Sequence, residues 1–361
     1  MLIRNPEDPS LAALCARLQK AAAQLEAPGA WPQEQLEACA QAGVYRWFVE
    51  SRHGGWDWPE ADLLRAYVAL AAACLTTTFV LTQRMGAVQR IASGASELAR
   101  AQLLEDLLAG RTFATVGISH LTTSRQHLGR PALRAEEAGD SLILDGYSPW
   151  VTGADHAQHL VLGATLGDGR QVLTVVPTDL PGVHVEPPLP LLGLTASHTG
   201  PVRLERVRVP RAWLLAGPSE QVLQQGVGAR TGGLPTSALA LGLASAAIAY
   251  LQEQSVPRSE LLEPTEALQA ERDALVAAML ALASPVPATA NAQGLAPHEL
   301  RRRANSLALR ATQAALVAAK GAGYVMGHTA GRWCREALFF LVWSCPQPVV
   351  QANLCELAHL A

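Results

Sequence analysis

The sequence predicts an α+β chain made of an N-terminal all-α domain, a middle antiparallel β-barrel or sandwich domain and a C-terminal four-helix bundle. Up to about Gly110 the apolar residues recur at helical spacing, and from Thr112 to about Gly217 they come in short β-branched runs between turn residues. After Gly217 the chain is Ala- and Leu-rich and helical again. The boundaries fall at 1–111, 112–218 and 219–361. A chain of 361 residues is longer than one hydrophobic core organises, which agrees with several packed units.

In the first unit, Leu36, Ala40 and Gly43 close one amphipathic helix, and Leu98, Leu103, Leu107 and Leu108 mark the face of another. Between them, the turn-rich stretch 51–60 places Pro59 to open a helix. The apolar run Ala66–Leu81, interrupted by Thr76, Thr77 and Thr78, is too short for a membrane span and reads as a core helix. In the second unit, strands are expected near 113–119, 141–147, 160–165, 171–177, 182–187 and 202–210. Glu137–Asp140 and Gly167–Gly169 supply hairpin turns between antiparallel neighbours. In the third, helices are expected near 235–253, 265–283, 298–330 and 332–345, then a short C-terminal helix, with the Pro-containing stretch 285–297 as a loop. No internal repeat is evident.

Composition narrows the function. Apolar residues make up 49% and charged residues 16%, a balance that suits a large buried interior. With 28 basic against 31 acidic residues the chain has no nucleic-acid footprint. The six cysteines (Cys15, Cys39, Cys74, Cys334, Cys345, Cys355) form no close pairs, so neither a metal site nor a redox dithiol is expected. Reduced thiols and an acidic, proline-bearing N-terminus point to a cytoplasmic protein without membrane insertion.

Several separated motifs resemble the acyl-CoA dehydrogenase superfamily, and together they cover nearly the whole chain. Gly43-Val44-Tyr45 with Gly54-Gly55-Trp56 is similar to that family's helix end and glycine loop. Leu144–Tyr147 leading into Trp150-Val151-Thr152-Gly153 resembles its "G-x-K-x-W-I-T" strand, and Gly193–Thr199 and Val207–Pro210 resemble later strand endings. Lys320–Tyr324 stands at the family's Gly-Gly-x-Gly turn, and Arg335-Glu336-Ala337 on its "R-D-A" helix. The resemblance implies a flavoprotein that binds FAD (alternatively FMN) and assembles as a homodimer or homotetramer, with an electron-transfer or reductase partner. It implies cofactor contacts at Ile118, Ser119, Trp150, Thr152, Arg258, Gly321 and Gly323, and a substrate contact at Ser124. An isoalloxazine ring needs an apolar or aromatic wall and hydrogen-bond donors at its polar edge, which Trp150 and Thr152 are able to provide. Gly321 and Gly323 read either as room for a cofactor or as a tight turn.

The departures concern catalysis. The family's catalytic Glu lies in "Y-E-G-T" or on the first bundle helix, and here Ser344 and Gly232 stand at those positions. A serine hydroxyl is no base without an activating partner. The stretch Ser119–Gln126 lacks the loop glycines of "T-E-P-x-x-G-S-D", and Arg258–Pro264 keeps the Arg of "R-x-x-F-G-x-P-L" but loses its Phe and Gly. An oxygen-activating branch of the superfamily carries "W-x-x-S-G-x-x-H", similar to Trp150–Ala157, which would bring His156 near the flavin; the other reading is a polar residue in the loop after the strand. Ser344 and His156 are therefore the catalytic candidates. His120 and His127 read as loop or satisfied buried imidazoles, Cys345 as an inert buried thiol, and Phe339-Phe340-Leu341 with Trp343 as bundle core. Three functions stay open: an oxidoreductase acting on an acyl-CoA or related acyl compound, a two-component flavin-dependent monooxygenase, and an inactive binding protein on the same fold.

Overall fold

The fold is taken from a computed structural model, which describes residues 2–122, 131–225, 233–284, 295–345 and 347–358. Five helices come first: α1 (Pro9–Ala21), α2 (Gln33–Gln41), α3 (Glu60–Ala73), α4 (Leu75–Ser93) and α5 (Glu97–Leu108). Their ends follow local chemistry. Asp8 caps α1 by accepting from the Ser10 amide at 2.9 Å, and Ser96 caps α5 by accepting from the Ala99 amide at 2.9 Å. Gly43, just beyond α2, turns the chain at φ 79°. Pro59 precedes α3 as expected. The run 66–81 is not one helix, because Cys74 is extended (φ −158°, ψ 103°) and separates α3 from α4. The threonines stabilise that break: Thr78 Oγ1 donates to the Cys74 carbonyl at 2.9 Å.

Eight strands follow: β1 (Ala114–Gly117), β2 (Leu133–Ala138), β3 (Ser141–Thr152), β4 (His159–Leu166), β5 (Gln171–Pro177), β6 (Val183–Val185), β7 (Thr199–Pro210) and β8 (Leu214–Ser219). They form one sheet in the order β6-β7-β3-β2-β4-β5-β8. Both expected hairpins form, β2–β3 and β4–β5. The sheet is open, not closed into a barrel, and two of its ladders are parallel. One edge of β4 receives β1 along 159–162 and then β2 along 165–166, each running parallel to it. The ends of the strand order, β6 and β8, stay unpaired with each other. One set of side chains, including Leu142, Leu144, Leu160, Leu162, Val202 and Leu204, builds a core belonging to the sheet. The alternate residues Val161, Leu173 and Val175 join the core of the helices, the face-switching that a two-residue period imposes.

The C-terminal helices are α6 (Leu234–Ser255), α7 (Leu262–Leu282), α8 (Pro297–Gly323), α9 (Thr329–Leu338) and α10 (Gln347–Leu357). The expected long helix 298–330 divides after Gly323, giving α8 and a turn before α9. Helix α6 is long and apolar enough to cross a membrane, yet 72% of its apolar window is buried inside the fold. It packs closely on α3 because Gly242 carries no side chain: a Cβ there would lie 2.6 Å from the Val68 carbonyl oxygen. The N-terminal helices and the bundle thereby share one apolar core.

Candidate functional site

Where α4, the sheet and α9 meet, a cavity of about 760 Å³ opens. Helix α4 contributes Phe79, Gln83, Gly86 and Arg90, a single face at i, i+4, i+7 and i+11. Beyond β1 the chain contributes Ile118 and Ser119, and β3 contributes Trp150 and Thr152. Trp150 and Thr152 face the cavity together because they are two apart on a strand, while Val151 between them belongs to the sheet core. Thr152 pairs in register with Thr199 of β7, another lining residue, and their hydroxyls lie 2.9 Å apart. Ser197 Oγ extends this chain of hydroxyls, 2.8 Å from Thr199 Oγ1.

The opposite wall is the segment after α9. Phe339, Leu341, Trp343 and Ser344 all line the cavity, while Phe340 is fully buried. The expectation that this apolar run is bundle core holds in full for Phe340, while Phe339 and Trp343 pack against that core and also line the cavity: a turn of 3₁₀ helix over Phe339–Leu341 sends adjacent side chains in different directions. Two side chains from α8 fix the segment. Asn305 Nδ2 donates to the Phe340 carbonyl and Arg301 Nη2 to the Trp343 carbonyl, each at 3.0 Å. Ser344 follows with φ 50°, in the left-handed region. Cys345 is buried and burial pushes its thiol up, as expected of an inert cysteine.

Among the described residues, no carboxylate, imidazole or thiol lines this cavity. Its two charged residues are both cationic, Arg90 and Arg335. Arg90 is buried, donates to the Gly86 carbonyl at 2.8 Å, and is pushed down to about 10 by burial. Arg335 is ion-paired with Glu26. The nearest acidic neighbour on α9, Glu336, turns away from the cavity toward the start of α4, where it accepts from Thr76 Oγ1 at 3.5 Å. Burial pushes Glu336 up to about 7; Arg332, 3.7 Å away, opposes this without cancelling it.

The cavity thus unites five of the residues singled out from sequence: Ile118, Ser119, Trp150, Thr152 and Ser344. Three others form a separate group. Arg258 donates to the Ala318 carbonyl at 2.8 Å and to Gln254 Oε1 at 2.6 Å, which sets it beside the end of α8 that carries Gly321 and Gly323. Gly321 has open space where a side chain would stand, whereas a Cβ on Gly323 would meet Ala319 Cβ at 2.7 Å, so Gly323 serves packing. His156 lies in neither group; it stacks on Trp31 at 4.1 Å beside Asp155 and His198, and burial pushes it down from the ordinary histidine value. His120 is a buried imidazole with Nε2 2.7 Å from the Gly163 carbonyl. Ser124, His127 and Gly232 lie outside the described residues. The sequence reading missed the α4 face, whose signal was a column of polar and small residues (Gln83, Gly86, Arg90) at helical spacing.

No family model matches the chain. Among curated proteins it is 24% identical over 325 residues to "Probable acyl-CoA dehydrogenase YngJ" of Bacillus subtilis, an alignment covering 86% of this chain and 85% of that one. It is 25% identical over 342 residues to the mitochondrial short-chain specific acyl-CoA dehydrogenase of Mus musculus, covering 88% and 80%. Among solved structures, butyryl-CoA dehydrogenase from Megasphaera elsdenii superposes with a TM-score of 0.81 at 16% identity, over 97% of each chain. The order of helices, sheet and helices is the fold of these flavoenzymes, and the sequence relatives run along nearly the same length. In sequence and in fold the chain is similar to members of the acyl-CoA dehydrogenase superfamily.

Proposed function

We propose that the protein is an FAD-dependent oxidoreductase that acts on an acyl-CoA or a related acyl thioester and lacks a carboxylate base at the family's usual position. The observation that carries this reading is the cavity itself, where Ile118, Ser119, Trp150 and Thr152 meet the segment Phe339–Ser344. Its surroundings suit a flat aromatic group: Trp150 is 46% exposed, and Leu192 and Val342, also lining it, are 78% and 77% exposed. FAD would supply a hydride acceptor. Trp150 would wall the ring, the hydroxyls of Ser119 and Thr152 would meet its polar edge, and Arg258 with the open side of Gly321 would serve the phosphate-bearing end. The apolar faces of Phe339, Leu341 and Trp343 exclude water and hold the acyl chain. Ser344 would stand where a base takes the proton next to the thioester, and a serine hydroxyl accepts one near neutral pH only with an activating partner.

Because no carboxylate among the described residues lines the cavity, a second reading has support of its own: a two-component monooxygenase that uses reduced flavin from a partner reductase. His156 takes no part in it, since its ring packs against Trp31 outside the cavity. The absorption spectrum of the purified protein, with the released cofactor identified, tests the common premise; a colourless protein that cannot be reconstituted with FAD or FMN would sink both readings. Ser344→Glu then separates them. Anaerobic bleaching by an acyl-CoA panel that appears in, or rises sharply with, Ser344→Glu supports the dehydrogenase architecture. Substrate hydroxylation that depends on supplied reduced flavin supports the second reading, and silence in both assays leaves a binding protein on the same fold.

A further inference from the structure

Next in the chain to Thr152 and Thr199, but not among the residues that line the cavity, Asp155, His156 and His198 converge, with one ligand atom from each lying within 4.8 Å of the others. Two chain segments bring them together. The 3₁₀ turn Ala154–His156 follows β3 after Gly153, which sits at φ 64°, and His198 immediately precedes β7 at φ 48°. The Gly153 amide donates to the His198 carbonyl at 3.0 Å, tying the segments to each other. The left-handed region is strained for a non-glycine residue, and here the strained residue is the one whose ring completes the cluster.

His198 Nδ1 lies 2.6 Å and His156 Nε2 3.8 Å from the same carboxylate oxygen, Asp155 Oδ2. The other ring nitrogen of His198, Nε2, donates to the Ala30 carbonyl at 3.1 Å. That bond fixes the ring and leaves Nδ1 as the ligating nitrogen, the arrangement in which a metal-bound histidine donates its second N–H to a backbone carbonyl. Trp31 stacks on the His156 ring at 4.1 Å with planes 12° apart, fixing the second imidazole. In a tetrahedral zinc site with bonds of about 2.0–2.1 Å, neighbouring ligand atoms stand roughly 3.4 Å apart. The two separations from Asp155 Oδ2, 2.6 and 3.8 Å, bracket that value.

We propose that Asp155 Oδ2, His156 Nε2 and His198 Nδ1 bind a divalent transition-metal ion of the zinc class, with a fourth position open to water. Two imidazoles and one carboxylate suit such an ion and not magnesium or calcium, which take oxygen ligands. Binding requires an unprotonated Nδ1, so any proton shared between that nitrogen and Asp155 Oδ2 leaves to solvent as the bonds to the ion form. The ion joins the Ala30–Trp31 connection to the ends of β3 and β7 and acts as a structural staple. None of the three ligands lines the cavity, so this inference stands apart from the proposed chemistry.

The test uses the untagged full chain with whatever cofactor it retains, treated with chelator and titrated with zinc chloride by calorimetry and with cobalt chloride by visible absorption. One ion per chain, a cobalt d–d band without a thiolate charge-transfer band, and a melting temperature that rises with zinc are expected. Asp155→Asn and His198→Gln are each expected to weaken binding by at least about tenfold, with far-ultraviolet circular dichroism unchanged. His156→Gln, at a more exposed position, gives the same result should the other two fail to fold. Absence of binding at millimolar metal, a thiolate band, or affinity that the foldable variants leave unchanged would overturn the site.

Discussion

At the scale of single residues, the cavity is defined by side chains whose direction a strand's two-residue period decides. Trp150 and Thr152 were readable as a pair because alternation alone puts them on one face. With an indole standing 46% exposed in an apolar cavity, Trp150→Ala is expected to weaken FAD binding by about ten- to a hundredfold, the equivalent of losing much of one aromatic contact. Fluorescence titration of the cofactor-stripped protein measures this, and an unchanged dissociation constant would remove Trp150 from the flavin wall. Ser344 was readable by its place after Arg335-Glu336-Ala337, and the structure sets it on the cavity. His156 was not readable in the same way. It lies only four residues beyond Thr152, but the left-handed turn at Gly153 carries it away from the cavity lining, and its neighbours Trp31 and His198 are remote in sequence.

At the scale of elements, α9 sets two adjacent charges to opposite uses. Arg335 reaches the cavity, and Glu336 is buried toward α4. The unfolded chain releases the Glu336 proton near the ordinary value of 4.5, and the folded chain holds it to about 7. Between those values the native state binds more protons than the unfolded state, so stability falls as pH rises through this window and the loss is complete above about 7. Glu336→Gln removes the titration. Relative to wild type, the variant is expected to gain on the order of 3 kcal/mol between about pH 5 and about pH 8. Denaturant melts at each pH give this difference, and a difference independent of pH would refute the buried proton. Element boundaries show how propensity yields to packing. The run 66–81 reads as one helix by composition, but the hydroxyls of Thr77 and Thr78 bond to Cys74 and make a break there affordable. Strands β2 and β8 escaped notice because exposed charge dilutes the first and Gly and Pro punctuate the second.

At the scale of the whole molecule, Arg258 and Gly321 lie apart from the cavity, and beside them Tyr324, Val325 and Met326 are 87%, 64% and 77% exposed. Three consecutive exposed apolar residues at a helix end are the signature of a covered surface, and a second copy of this chain is the expected cover. Light scattering is expected to give two or four times the 38.2 kDa chain mass for wild type, and a smaller assembly with weaker cofactor retention for Val325→Glu. A monomeric wild type would contradict this. The sequence by itself determined the order of helical, strand and helical segments, the two hairpins and the motifs that run through them, because periodicity and turn chemistry are local. It also set the expectation that Ser344 stands at the position of the usual carboxylate. Only the tertiary structure decided that the sheet stays open, since whether β6 and β8 meet depends on how β1 and β2 share one edge of β4. It alone put Phe339 and Trp343, packed on the core, at the cavity wall as well, and it alone assembled Asp155, His156 and His198. Those outcomes rest on contacts between segments tens to hundreds of residues apart, where local pattern carries no information.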